Sequence, residues 1–359
     1  MTPEPGAAWA DRKGSRVPRI IGHRGAPGHL PEHTLTSYRR AIELGADALE
    51  PDLVMTGDGV LVVRHEPDLS RTTDVATRPE FSDRHTSKLV NGRLVEGWFV
   101  EDFSLAEVKT LRCRERFPLI RPKSAASDGL HEVITFDELL LLLAESWNAG
   151  RPVGLHAELK CSTYFRDLGL PLEEAVLTSL RDHGLDRRDS GVYLQSFEIA
   201  NLRWLRARTD VHLVQLVAAT GAPADCRSTT DPTDYDDLVT PAGLRATATY
   251  ADAVGIAKDR LLPAESLSGP SAGAADLVDR AHLEGLRVYL YTVRDENCFL
   301  SAGYRIGSDP HVRGDVVGET RAVFDLGVDG VFTDTPDTTL YARRQWLTES
   351  RPALVPQRL

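Results

Sequence analysis

The residues best suited to chemistry in this sequence fall largely in one stretch, IIGHRGAPGHLPEHTLTSYRRAIELGADALEPDLVMTGDGVLVVRH, from Ile20 to His65. Histidine exchanges protons near neutral pH, so His23 and His65 are candidates for general acid and base. Glu50 and Asp52 stand two apart in a predicted strand, which aims both carboxylates at one face. A third acid, Glu158, lies in the run His156-Ala157-Glu158-Leu159-Lys160 that ends a later strand, where Lys160 shares its face. Three carboxylates gathered at strand ends repel one another without a cation. An all-oxygen donor set suits one hard divalent ion, Ca²⁺ or Mg²⁺. Arg24 and Lys160 are then candidate contacts for a phosphate, with a link from Arg24 to Glu32 as its structural alternative.

The elements that position these groups can be read in order. Arg19-Ile20-Ile21-Gly22 is a short strand running into His23, and a helix follows from Thr34 to Leu44. Ala46–Met55 is the second strand, and the turn at Gly57-Asp58-Gly59 leads back through Val60–His65. A two-residue turn at Asp58-Gly59 sets Asp52 opposite His65, and one at Gly57-Asp58 sets Glu50 there. Either register places His65 on the carboxylate face.

Beyond residue 131 strands and helices alternate steadily, with strands at Val153–Leu159, Gly191–Gln195, His212–Val217, Ala253–Ala257, Arg287–Val293 and Gly330–Thr333. About eight strand–helix units imply a parallel sheet closed into a (β/α)8 barrel. The expected organisation is a tail over 1–18, a barrel over 19–345 and a C-terminal tail over 346–359. An insertion after strand two spans about 66–131 and packs on itself or on the barrel rim. Barrel active sites lie at the C-terminal strand ends. That rule also makes Gln195, which precedes Ser196 and Phe197, and Tyr291, near Arg294, candidates for lining the pocket. His29, His33, His85, His131 and His156 read as surface or loop residues. Asp334, just before Thr335-Pro336, reads as a helix cap.

Composition bounds the partners. The 359 residues carry 53 acidic against 42 basic side chains, a formal net charge of −11. This disfavours nucleic acid, which needs a basic footprint, and leaves a small phosphorylated ligand open. Cys113, Cys161, Cys226 and Cys298 show no paired spacing and are expected as free thiols. The longest apolar run, Leu139–Ala144, is too short for a membrane span, so no stable membrane association is expected. The N-terminus has no apolar core of signal-peptide length. The chain as it stands is expected to be cytoplasmic, or exported if a leader has been removed. Its oligomeric state is not legible.

The runs H-R-G-A, P-E-H-T, E-x-D-L-V-M-T and G-V-L-V-V-x-H, followed by A-E-L-K, L-Q-S-F, Y-T-V-R and G-V-D-G-V-F-T-D-x-P-D, resemble the glycerophosphodiester phosphodiesterase family. The stretches D-F-S-L-A-E-V-K-T-L and E-R-F-P resemble its longer, often exported bacterial branch. The resemblance implies a (β/α)8 barrel with an insertion after strand two. It also implies Glu50, Asp52 and Glu158 as divalent-metal ligands, His23 and His65 as the acid/base pair, and Arg24 and Lys160 as phosphate contacts. The implied reaction is metal-assisted hydrolysis of a small glycerophosphodiester to glycerol 3-phosphate and an alcohol. The family usually has Asp after the second histidine, whereas Glu66 stands here, a position given no chemical role. Two other readings use the same barrel: a lyase on lipid head groups that releases a cyclic phosphate, and an inactive binding protein.

Overall fold

The computed structural model describes residues 17–227 and 232–350. Nearly all of the tail expected over 1–18, and most of that expected over 346–359, lies outside them. Strands β1 (Arg19–His23), β2 (Ala48–Glu50), β3 (Asp52–Met55) and β4 (Leu61–Val63) come from the opening stretch. The insertion contributes β5 (Thr86–Val90) and β6 (Arg93–Gly97). Then follow β7 (Gly154–Leu159), β8 (Val192–Ser196), β9 (His212–Val217), β10 (Ala253–Ala257), β11 (Arg287–Val293) and β12 (Gly330–Thr333).

The barrel forms as expected. β1 pairs in parallel with β12 on one side and β2 on the other. The parallel series β7 to β12 completes the circuit, and β2 and β3 both pair with β7 to close it. Pro51, which cannot donate a ladder hydrogen bond, divides the second barrel strand into β2 and β3.

The helices are held by their buried faces. Thr135 and Glu138 cap the helix Phe136–Asn148 reciprocally, and Leu139, Leu140 and Leu143 are buried against the barrel. Each such side chain contributes ~1.5–3 kcal/mol. That outweighs intrinsic helix preferences of ~0.7 kcal/mol or less per ordinary residue, so docking fixes the helix. The last helix, Pro336–Ser350, runs past the boundary expected at 345 and sets Trp346 against Phe324. Among the described residues no helix is long and apolar enough to cross a membrane.

Two expectations are corrected here. The turn after β3 holds three residues, not two: Thr56 N donates to Val60 O, and the ladder pairs Leu53 with Val63 and Met55 with Leu61. Continued, that register sets Asp52 opposite Arg64, whose amide donates to Asp52 O. His65 lies past the end of β4, free of the ladder's parity. His156 is not a surface residue either. The alternation that aims Glu158 at the strand-end layer aims His156 into the barrel interior one layer deeper. There it stacks on Tyr193 at 4.4 Å, with Tyr289 and Phe332 edge-on.

The insertion packs on itself and on the rim. Phe99, Val100, Phe103 and Val108 are buried, and Phe81 meets Phe103 edge-on at 5.0 Å. The hairpin β5–β6 has no counterpart in the sequence reading. Its residues are mostly exposed, so it lacks the apolar alternation that marks a strand.

Candidate active site

Backbone register assembles the site. β1 and β2 align His23 with Glu50, β3 and β7 align Asp52 with Glu158, and β7 and β8 align Glu158 with Gln195. One layer at the C-terminal strand ends therefore carries a histidine, three acids and an amide. After His23 the chain turns sharply: Arg24 adopts φ 56° and Gly25 φ 97°. A Cβ on Gly25 would stand 2.5 Å from Ser37 Oγ, so the closeness of the following helix demands glycine there. The turn lets Arg24 N donate to Glu50 Oε2 at 2.9 Å.

The cavity over this layer measures about 380 Å³ and is lined by His23, Arg24, Glu50, Asp52, His65, Glu158, Lys160, Gln195 and Tyr291. All nine candidate residues thus meet in one place. Tyr291 contributes its ring, since its hydroxyl donates to Val217 O at 2.9 Å. Gln195 Nε2 donates to Glu50 Oε1 at 3.3 Å.

Glu50, Asp52 and Glu158 are buried, and one oxygen from each lies within 4.8 Å of the others. Burial first, then Asp52 and Glu158, pushes the Glu50 carboxyl well above its usual range. Burial likewise lifts Glu158 to about 8, although Lys160 pulls against it. Burial would raise Asp52 too, but Lys160, His65 and His33 bring it well below the usual value. Asp52 Oδ1 is buried and accepts no hydrogen bond. Lys160 Nζ lies 2.7 Å from Glu158 Oε1 and 3.7 Å from Asp52 Oδ1, and Arg24 Nε lies 3.3 Å from Asp52 Oδ2, two positive charges beside three acids. The donors are all oxygen and the negative charge is undercompensated, so the cluster fits a hard divalent cation.

Each candidate histidine is anchored through Nδ1. His23 Nδ1 faces Asp334 Oδ1 at 2.6 Å, and His65 Nδ1 faces Glu66 Oε1 at 2.7 Å. An ionised carboxylate can only accept, so both rings carry the proton on Nδ1. Burial first, then Arg24, holds His23 down to about 4, and burial with Arg24 and Lys160 holds His65 down to about 3. Both rings are neutral at pH 7, with a proton-accepting Nε2.

The carboxylates behind the histidines are themselves held by the insertion. Arg121 Nη2 donates to Asp334 Oδ2 at 2.7 Å, Arg294 Nε donates to the same oxygen at 2.9 Å, and Arg121 Nε donates to Glu296 at 2.6 Å. On the other side Arg116 donates to both oxygens of Glu66 and both of Glu32, each at 2.7 Å. Arg24 completes that cluster, with Nη1 3.0 Å from Glu32 and Nε 3.3 Å from Asp52. The link from Arg24 to Glu32 is therefore present, and the same side chain lines the cavity. The prediction is direct: Arg116→Met removes the shared cation from two carboxylates, leaving Glu32 to Arg24 and Glu66 to His65, and urea unfolding should show a loss of about 3–5 kcal/mol.

Three assignments change. Asp334 is a partner of His23 beyond any capping role; β12 lies beside β1 in the closed barrel, so its strand end faces the site. Glu66 is the partner of His65, a role its adjacency hinted at. His33, read as a loop residue, is fully buried and bridges Asp52 Oδ2 (2.9 Å) to Tyr38 Oη (2.7 Å). Arg116 and Arg121 were missed as well. The only sequence signal for Arg116 was the run E-R-F-P, which bears no relation to the strand-end rule. The four cysteines are free thiols, as expected.

A model of the glycerophosphoryl diester phosphodiesterase family matches residues 23–338. A glycerophosphodiester phosphodiesterase of Arabidopsis thaliana is 33% identical over 333 residues, covering 88% of this chain and 83% of that protein. One from Haemophilus influenzae is 32% identical over 343 residues, covering 89% and 88%. A solved Oleispira antarctica phosphodiesterase, in complex with the product sn-glycerol-3-phosphate, superposes with a TM-score of 0.60 at 19% identity, covering 91% of this chain and 97% of that one.

Proposed function

The chain belongs to the glycerophosphoryl diester phosphodiesterase family, and from that premise we propose that it hydrolyses small glycerophosphodiesters to glycerol 3-phosphate and an alcohol. In this reading His23 and His65 are the acid/base pair, and Glu50, Asp52 and Glu158 hold one divalent cation, Ca²⁺ or Mg²⁺. The carrying observation is the meeting, in one cavity, of a buried three-carboxylate cluster with two neutral histidines fixed through Nδ1.

The chemistry divides among the chain's own residues. Arg24 and Lys160, both cationic and lining the cavity, bind and orient the non-bridging phosphate oxygens. One histidine accepts the nucleophile's proton at Nε2. The other, protonated once the negatively charged phosphate lies beside it, delivers that proton from Nε2 to the departing alcohol oxygen. Asp334 and Glu66 keep the rings oriented and stabilise each imidazolium as it forms. The bound cation, when present, neutralises charge on the phosphate.

Phosphorus NMR of the products from glycerophosphocholine, glycerophosphoethanolamine and a chromogenic diester tests this. Glycerol 3-phosphate should be the end product from the first two. A stable cyclic phosphate would establish the lyase reading instead. A protein that binds Ca²⁺ or Mg²⁺ and turns over none of the three would be a binding barrel.

A further inference from the structure

A second cavity of about 540 Å³ adjoins the first and shares His65, Glu158, Lys160 and Phe197 with it. A diester held with its phosphorus at the shared wall has room to extend one of its arms into this space. The hairpin β5–β6 covers one side through Val90, Asn91, Arg93 and Val95. Arg227 donates to Asn91 O, and Asn91 Nδ2 lies 3.3 Å from Cys161 Sγ, so the hairpin tip is tied to the barrel rim.

The cavity is lined by four acids, Glu66, Asp68, Glu158 and Glu198, and four bases, Lys160, Arg71, Arg93 and Arg227, but among the described residues only Glu158 and Lys160 of these pair with one another. Its carboxylates have other partners: Glu66 has His65 and Arg116, Asp68 has Ser70 and the Trp98 amide, Glu158 has Lys160, and Glu198 Oε2 has the Thr163 amide and hydroxyl while its Oε1 is buried without one among the described residues. Arg71 and Arg93 also line it, and neither side chain has a hydrogen bond or ion pair among the described residues. Arg227 lines it too, spending one nitrogen on a carbonyl. Among the described residues none of these three arginines has a carboxylate partner, in a chain with 53 acidic and 42 basic residues. Guanidinium groups left free in a concavity fit phosphate or carboxylate.

We propose that this second cavity receives the leaving half of the diester, and that Arg71 and Arg93 hold an anionic group on it, a second phosphate or a carboxylate. The inference rests on the phosphodiesterase reading and adds to it a substrate preference. Insertion residues thereby set specificity at a distance from the bond broken.

Steady-state rates on three diesters test it: glycerophosphocholine, with a cationic leaving group; glycerophosphoserine, which adds a carboxylate; and bis(glycerophospho)glycerol, which adds a second phosphate. The wild type should favour at least one anionic diester over glycerophosphocholine by about tenfold in kcat/KM, carried by KM; the arginines are exposed, so a larger factor is not expected. The diester favoured identifies which anion is held. The double variant R71A/R93A should bring the ratio close to one, and R71K/R93K, which keeps charge but loses the planar fork, should retain part of it. Both side chains are exposed and make no hydrogen bond or ion pair among the described residues, so folding is not at stake. A ratio that R71A/R93A leaves unchanged, or a wild type without preference, overturns the anionic site. Turnover of none of the three by the wild type overturns the phosphodiesterase reading itself.

Discussion

Dialysis against a chelator should lower turnover of glycerophosphocholine by about 10³-fold or more, and Ca²⁺ or Mg²⁺ added back should restore it. A factor of 10³ corresponds to ~4 kcal/mol of barrier, in the range a bound cation supplies by neutralising charge on a phosphoryl group. The demand arises within the protein as well as in the substrate. Three buried carboxylates share one small volume, with Lys160 and Arg24 as the nearest counter-charges. A phosphodiester brought beside them adds a further negative charge that Arg24 and Lys160 must offset while already paired to acids. Glu50→Gln separates the cluster from its surroundings: it removes one charged donor yet preserves size and a hydrogen bond from Gln195. It should raise the metal concentration for half-maximal rate by at least about tenfold, since even outer partners of metal sites cost 10–100-fold when lost. A protein that keeps its full rate after chelation, with metal absent by atomic emission, removes the cation from the reaction.

The carboxylate cluster was legible because it obeys a rule local to each strand. Glu50, Asp52 and Glu158 stand at strand ends, and alternation along a strand tells which residues share a face. The route to His65 was legible only in its outcome. Its predicted partnership rested on a two-residue turn, whereas the real turn has three residues and puts Arg64 in register with Asp52. His65 reaches the cavity because the chain has already left the ladder, which hairpin parity cannot describe. What escaped entirely is long-range. Asp334 follows His23 by 311 positions, and Arg121 precedes Asp334 by 213. Barrel closure brings the first pair together and insertion packing the second. Neither leaves a period or a motif that fixes distance. His156 and His33 were misread for the opposite reason: a lone histidine looks polar, but inside a barrel or against a tyrosine it serves as a buried ring.

Replacing either anchored histidine should cost most of the remaining rate: His23→Ala and His65→Ala are each expected to lower kcat by about 10²–10⁴-fold, with KM and melting temperature close to wild type. Folding should survive, because Asp334 keeps Arg121 and Arg294, and Glu66 keeps Arg116. Asp334→Asn distinguishes proton handling from mere presence of the ring. Arg121 and Arg294 both donate to Oδ2, so asparagine must leave its oxygen there and turn its amide nitrogen toward His23 Nδ1. A donor in that place forces Nδ1 to accept, which moves the ring proton to Nε2 and fixes the wrong tautomer. The expected loss is about 10²–10⁴-fold in kcat at nearly constant KM. A purely structural Asp334 would instead lower the melting temperature and leave kcat of the folded protein intact. If both histidine variants turn over glycerophosphocholine at near wild-type rates, the two rings are not the proton carriers, and the anchored Nδ1 contacts serve only to hold the barrel mouth together.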